Sequence, residues 1–209
     1  MKIVVSYINS IYDISKTIKK IDLSIADGIH VDLMDGMYVA NNNLDVSLLP
    51  ELFKGISKPL DIHLMVLKPS KYLDILYKLI PDCIYIHPET EQDPITVIKN
   101  IKEHCNVGIV INPNQNIEGF KDYLKYINRV LLMSVIPGKG GQKFIENTKD
   151  KLAELKKYQE KYNFEIYIDG GINVETIKEV KGADGVVSGS FVCQNEDFDK
   201  QIALLKLSR

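Results

Sequence analysis

The sequence predicts an α/β protein of the closed (β/α)₈ class, a TIM barrel built as a single domain over residues 1–209. Three observations predict it. Short apolar, β-branched runs alternate with amphipathic segments from one end of the chain to the other, and there are eight of each. No break in composition and no linker divides them. The chain is 209 residues long and 45% hydrophobic, enough for one core and close to the lower length limit of a one-domain barrel.

Taken in order, the strand candidates are Lys2–Ile8, Gly28–Met34, Leu60–Val66, Cys83–His87, Val107–Ile111, Arg129–Val135, Glu165–Asp169 and Gly185–Ser188, each rich in Val, Ile, Leu or Tyr. The helix candidates between and after them are Ile14–Asp22, Val46–Gly55, Pro69–Leu79, Pro94–Glu103, Ile117–Tyr126, Thr148–Lys161, Val174–Val180 and Asp197–Leu207. Their apolar residues recur three and four apart, which puts them on one face of a helix. Ser70 and Asn173 stand close to segment starts that they would cap, and Pro69 and Pro94 suit early helical positions.

The second and third strands carry unusual side chains. In a strand, residues two apart share a face, so His30, Asp32 and Met34 point one way while Ile29, Val31 and Leu33 point the other. The third strand repeats the device with Asp61, His63 and Met65. If the two lie side by side, His30, Asp32 and His63 converge as nitrogen and oxygen ligands for a metal ion. Burying an acid and two imidazoles without an ion or proton partner is costly, which favours a site over a scaffold. His87 and His104, each taken alone, read as satisfied core histidines.

A barrel keeps its chemistry at the C-terminal ends of its strands, where these residues fall. The last three strand ends carry glycines: Pro137-Gly138-Lys139-Gly140-Gly141-Gln142, Asp169-Gly170-Gly171-Ile172-Asn173 and Ser188-Gly189-Ser190. Glycines let backbone N–H groups approach an anion and helix N-termini favour one, so three such loops side by side predict a phosphate cradle. Asp169 follows the apolar run Ile166-Tyr167-Ile168. Across a barrel mouth it would face Asp32, and two opposed carboxylates suit proton removal from one face of a carbon and its return to the other.

Composition excludes several classes. A net charge of −2 with no basic run argues against a nucleic-acid partner. Cys83, Cys105 and Cys193 are odd in number and lack CxxC spacing, so neither a disulfide framework nor a zinc ribbon is expected, and a reducing cytoplasm suits the chain. No apolar stretch approaches a membrane span, and the N-terminus opens directly into a strand-like run without a targeting pattern.

The run HVDLMDG, then DIHLMV, SVIPGKGGQKF, YIDGGIN and VSGS, resembles ribulose-phosphate 3-epimerase and its relatives that act on hexulose 6-phosphates. The resemblance covers nearly the whole chain, in order and with similar spacing. It implies a barrel enzyme that inverts C3 of a ketose phosphate with one divalent metal ion per subunit: zinc, iron, manganese or cobalt. It also implies metal ligands His30, Asp32, His63 and Asp169, with Asp32 and Asp169 as the acid/base pair. Substrate would be held by Ser6, His63, Gly138, Gly140, Gly141, Asp169, Gly170, Gly171, Gly189 and Ser190. Lys139 would add a charge contact to phosphate or stand solvated. Met34, Met65 and Met133 match the family's methionines around the reacting carbons, or fill the core. A homo-oligomer is implied as well.

The chain departs from the family after MDG, where Met37-Tyr38-Val39-Ala40-Asn41 replaces His-Phe-Val-Pro-Asn, and at Ile136 and Lys139. Strand ends Ile86-His87-Pro88-Glu89-Thr90 and Ile111-Asn112-Pro113 resemble the allulose 6-phosphate epimerases. A pentulose phosphate leads, with a hexulose phosphate as the alternative. Two other classes stand beside them. A decarboxylase or aldolase of the related phosphate-binding barrels needs a lysine in Asp-x-Lys-x-x-Asp, and Asp32-Leu33-Met34-Asp35 has none. A non-catalytic sugar-phosphate sensor would be expected to lose a ligand or an acid, and none is lost.

Overall fold

Alternation within each strand decides what the barrel wall faces. The computed structural model describes residues 1–43 and 45–209. Its strands are β1 (Lys2–Ser6), β2 (Gly28–Met34), β3 (Leu60–Met65), β4 (Cys83–Ile86), β5 (Asn106–Ile111), β6 (Arg129–Met133), β7 (Glu165–Asp169) and β8 (Gly185–Ser188). Each pairs in parallel with the next, and β8 returns to β1 to close the barrel. Outward side chains such as Ile29, Val31 and Leu33 join the large apolar cluster beneath the helices, while Val4, Tyr85, Val110, Leu131, Tyr167 and Val187 form a smaller cluster inside the barrel. The expected strands all form. Those drawn to Ile8, Val66, His87 and Val135 stop one or two residues sooner, although Tyr7, Val66, His87 and Val135 beyond the ladder are still buried.

The helices differ more from expectation. Regular helices form at α1 (Ile14–Leu23), α2 (Leu49–Leu52), α3 (Leu73–Leu76), α4 (Pro94–Lys102), α5 (Thr148–Gln159), α6 (Ser190–Cys193) and α7 (Phe198–Ser208). Asp13, Asp93 and Asp197 cap α1, α4 and α7 by accepting a backbone N–H three residues on. Four expected helices are instead short or tighter. Val46–Gly55 is a 3₁₀ turn, Val46–Leu48, followed by the single turn of α2, and Gly55 at φ 79° ends it. Pro69–Leu79 breaks into 3₁₀, α3 and 3₁₀ pieces bounded by left-handed Lys68 and Ile80. Ile117–Tyr126 starts as a 3₁₀ helix, Ile117–Phe120, capped by Asn116 and containing the weak helix former Gly119, then continues as turns. Val174–Val180 is 3₁₀ over Thr176–Val180, with the Asn173 side chain accepting from the N–H groups of Glu175 and Thr176. Ser70 caps nothing; its N–H donates to Glu91. The apolar spacing still marks the buried face, since Ile117, Phe120 and Leu124 are all buried.

At the N-terminal end of the barrel, side chains build a closed floor. The Tyr85 and Tyr167 rings fill space beside Gly108 and Gly185, where a Cβ would lie 2.2 and 2.3 Å from the rings. Buried Arg129 pairs with Asp61 at 3.0 Å, Asp82 at 2.7 Å and Glu165 at 2.9 Å. The other end is open and polar. No helix among the described residues is long and apolar enough to cross a membrane.

Candidate metal and substrate site

The register of β2 against β3 sets Asp32 beside His63, with Met34 beside Met65 one step nearer the mouth. Met133 of β6 pairs with Asp169 at the end of β7. The predicted quartet therefore meets inside the mouth, with one ligand atom of each of His30, Asp32, His63 and Asp169 within 4.8 Å of all the others. His30 Nε2 lies 3.5 Å from Asp32 Oδ1 and 3.6 Å from Asp169 Oδ2; His63 Nδ1 lies 3.2 and 3.7 Å from the same oxygens. A tetrahedrally held ion with bonds of about 2.1 Å would space its ligands about 3.4 Å apart. Both ring nitrogens of His30 are buried without a hydrogen-bond partner. Two imidazoles and two carboxylates so spaced, with an orphaned buried nitrogen aimed among them, fit a divalent ion.

Electrostatics within the quartet are strong. Burial opposes charge on Asp32, but His30 and His63 outweigh it and hold the carboxyl well below its usual range. Burial likewise opposes charge on His30, and Asp32, then Asp169 and Asp61, overcome it and push the imidazolium up to about 9. His63 is raised too, against burial, by Asp169 and Asp32. Ser6, expected among substrate contacts, donates from Oγ to Asp32 Oδ2 at 2.8 Å.

The mouth opens into a cavity of about 1080 Å³. Asp32 and Asp169 reach its wall, whereas His30 and His63 lie beneath with fully buried side chains. Met34, Met65 and Met133 line it, as do Ser6, Gly138, Lys139, Gly140, Gly141, Gly170, Gly171, Gly189 and Ser190. The three glycine loops meet there: a Cβ on Gly141 would come within 2.9 Å of Asn9 Nδ2 and 3.7 Å of Ser190 Oγ. Gly171 has φ 64° and abuts the Phe144 backbone N at 2.7 Å from the position of a Cβ, so no side chain fits. Of the helical segments after these loops, Thr176–Val180 is a 3₁₀ piece in place of the expected helix Val174–Val180, and α6, for which the sequence predicts no helix, is a single turn, so the lining here is mainly loop backbone. Lys139 stands exposed on the rim.

Several site residues escaped the sequence reading. Ser134 Oγ donates to the carbonyls of Asp169 and Gly170, at 2.9 and 2.6 Å, and so fixes the end of β7. Asn43 Nδ2 donates to the Asp32 carbonyl at 2.8 Å, and Asn41 Nδ2 to the Gly138 carbonyl at 2.6 Å, tying the loop after β2 to the site and to the loop after β6. Asn9 is left-handed at φ 66° and donates to Ser190 Oγ. The unusual loop 37–43 was the one available signal, and its polar residues hold backbone. Of the two remaining histidines, His104 is exposed and stacks on Tyr77 at 3.9 Å, contrary to its core reading. His87 is fully buried and satisfied as expected, but its partner is His63, at 2.9 Å between the Nε2 atoms.

A parallel eight-stranded barrel with acids and imidazoles gathered at the C-terminal ends of its strands is built as an enzyme. The model of the ribulose-phosphate 3 epimerase family matches residues 5–193. The chain belongs to that family, a group of epimerases within carbohydrate metabolism. It is 39% identical over 180 residues to a ribulose-phosphate 3-epimerase of Helicobacter pylori strain J99, covering 84% of this chain and 83% of that one. It is 38% identical over 186 residues to the Aquifex aeolicus ribulose-phosphate 3-epimerase, covering 87% and 84%. A 3-keto-L-gulonate-6-phosphate decarboxylase from Vibrio cholerae shares the fold, with a TM-score of 0.72 at 14% identity over 99% of this chain and 96% of that one.

Proposed function

We propose that this chain converts D-ribulose 5-phosphate to D-xylulose 5-phosphate, using Asp32 and Asp169 as the two proton-transferring groups. One observation carries the reading: both carboxylates line the cavity and both stand within 3.7 Å of a ligating imidazole nitrogen. A divalent ion held by His30, Asp32, His63 and Asp169 would supply Lewis-acid stabilisation of the negative charge that develops on the ketose oxygens. One carboxylate takes the C3 proton, leaving a planar enediolate, and the other returns a proton to the opposite face, so the reaction is neutral in protons. Asp32, ionised beside two histidines and accepting from Ser6, starts in the form that can take a proton, and the roles exchange in the reverse direction. Met34, Met65 and Met133 keep water from the carbanionic carbon without offering a proton of their own. The glycine loops and Ser190 receive the phosphate through backbone N–H and hydroxyl groups, with Lys139 at the rim.

Proton NMR in D₂O tests this directly. Metal-replete protein should put deuterium on C3 of D-ribulose 5-phosphate and yield the xylulose epimer, while D-allulose 6-phosphate, run alongside, reacts more slowly. Exchange confined to the hexulose phosphate would move the substrate assignment. No exchange with either sugar would overturn the assigned reaction.

A further inference from the structure

His63 offers a metal ion one ring nitrogen only if the proton is on the other, and neutral imidazole leaves that choice to its neighbours. The nitrogen facing the carboxylates is Nδ1. A lone pair there requires a proton on Nε2, and a proton on Nε2 requires an acceptor. The atom in reach is His87 Nε2, 2.9 Å away. His87 can accept at Nε2 only with its own proton on Nδ1, which lies 3.0 Å from the Tyr38 hydroxyl. Tyr38, having accepted from His87, donates onward to Glu89 Oε1 at 2.9 Å. A carboxylate only accepts, and Asp32 stands 3.2 Å from His63 Nδ1 at the other end; with the Nδ1 lone pair kept for a metal ion, the chain of hydrogen bonds runs one way, from His63 through His87 and Tyr38 to Glu89.

Further donors fix that end. Asn112 Nδ2 donates to the Tyr38 hydroxyl oxygen at 2.9 Å and to Glu89 Oε1 at 3.0 Å, and Gln115 Nε2 donates to Glu89 Oε1 at 2.9 Å. Asn112 and Gln115 are themselves joined, the Asn112 N–H donating to Gln115 Oε1 at 2.8 Å. His63 and His87 stack at 5.1 Å, and both are fully buried, so water does not compete for the imidazole protons. His30 has no such support, since its Nδ1 is without a partner.

We infer that Tyr38 and Glu89 are positioning residues that act through His87 to fix the tautomer of His63, leaving its Nδ1 lone pair directed between Asp32 and Asp169. The inference rests on the metal reading of the site. It also gives a role to the loop after β2 and the end of β4, two places where the chain departs from the usual family sequence. Tyr38→Phe cuts the chain of bonds, and Glu89→Leu removes the group that gives it direction. In either variant the two Nε2 atoms can each carry a proton and oppose one another, turning the His63 proton toward the carboxylates. Glu89→Gln keeps an acceptor in the same place and is the conservative control.

The experiment uses the full-length protein stripped of metal, with folding checked by circular dichroism. Zinc affinity is measured by competition with a chromophoric chelator, and the histidine protons are located by ¹H–¹⁵N correlation in the zinc-loaded form. Wild type should show His63 protonated on Nε2 and His87 on Nδ1. Tyr38→Phe and Glu89→Leu should each weaken zinc binding by about 10- to 100-fold, with Glu89→Gln recovering most of it. Unchanged affinity in both truncated variants, or a His87 proton on Nε2 in wild type, overturns the inference while the metal site stands. Failure of wild type to bind zinc, cobalt or manganese overturns the metal reading and the inference together.

Discussion

The barrel buries charge at both ends and neutralises it by different means. At the floor, Asp61 meets Arg129 at 3.0 Å, and Arg129 has Asp82 and Glu165 as further partners and the Tyr167 ring 5.0 Å from its guanidinium carbon. At the mouth, the only cationic side chains beside Asp32 and Asp169 among the described residues are His30 and His63, with the Ser6 hydroxyl donating to Asp32; no lysine or arginine comes within ion-pair distance of either acid. A buried acid with a built-in guanidinium is complete and belongs to the scaffold. An acid pair, Asp32 buried and Asp169 partly so, with imidazoles as its only cationic neighbours can accept protons or a metal ion, and it faces a cavity rather than a tyrosine plug. The position along the strand, not the residue type, separates the two: Asp61 and His63 are two residues apart on one strand face and serve opposite ends.

The largest expected effect follows from removing a charge at the mouth. Asp32→Asn and Asp169→Asn should each lower turnover by about 10²- to 10⁴-fold, with a cooperative unfolding transition retained. Turnover near wild type in either variant would end the two-carboxylate assignment. At the floor the pattern should reverse. Arg129→Met leaves Asp61 buried without its cation and should lower unfolding stability by about 3–5 kcal/mol, measured in urea, while turnover per folded molecule stays unchanged. A loss of turnover at normal stability would mean that the ends are coupled.

A third and smaller effect separates the ends by pH. His30 has a folded pKa of about 9, above its ordinary value of 6.5, so it stabilises the metal-free fold fully below about pH 6.5 and loses that contribution as pH rises through 9. The loss should be at most about 3 kcal/mol. A bound ion requires neutral His30, so metal affinity should rise over the same interval and protons should be released on binding. Thermal unfolding between pH 6 and 10, with and without zinc, reads both. Metal-free protein whose stability stays flat across that range would contradict the shift.

Much of this molecule was legible in order along the chain. Period-two and period-3.6 apolar spacing located eight strands and the faces of the helical segments, because burial of alternate residues follows from local geometry. His30, Asp32 and His63 could be grouped because they occupy one face of consecutive strands, and Asp169 because a barrel brings the end of β7 to the same mouth. The hydrogen-bond type of Ile117–Phe120 and Thr176–Val180 was not legible, since a 3₁₀ and an α segment bury nearly the same spacing.

The sequence by itself determined which side chains point inward and which strand ends carry the acids, imidazoles and glycines, because both depend on residues close together in the chain. Only the tertiary structure decided their partners. Arg129 reaches Asp61 across 68 positions, and Tyr38 reaches Glu89 across 51. Such pairs form because barrel closure brings distant strand ends into one small volume, where a buried polar group must find whichever partner the fold supplies. His87 shows the consequence: its burial was readable from its strand, but its hydrogen bond to His63 exists only once β3 and β4 lie side by side.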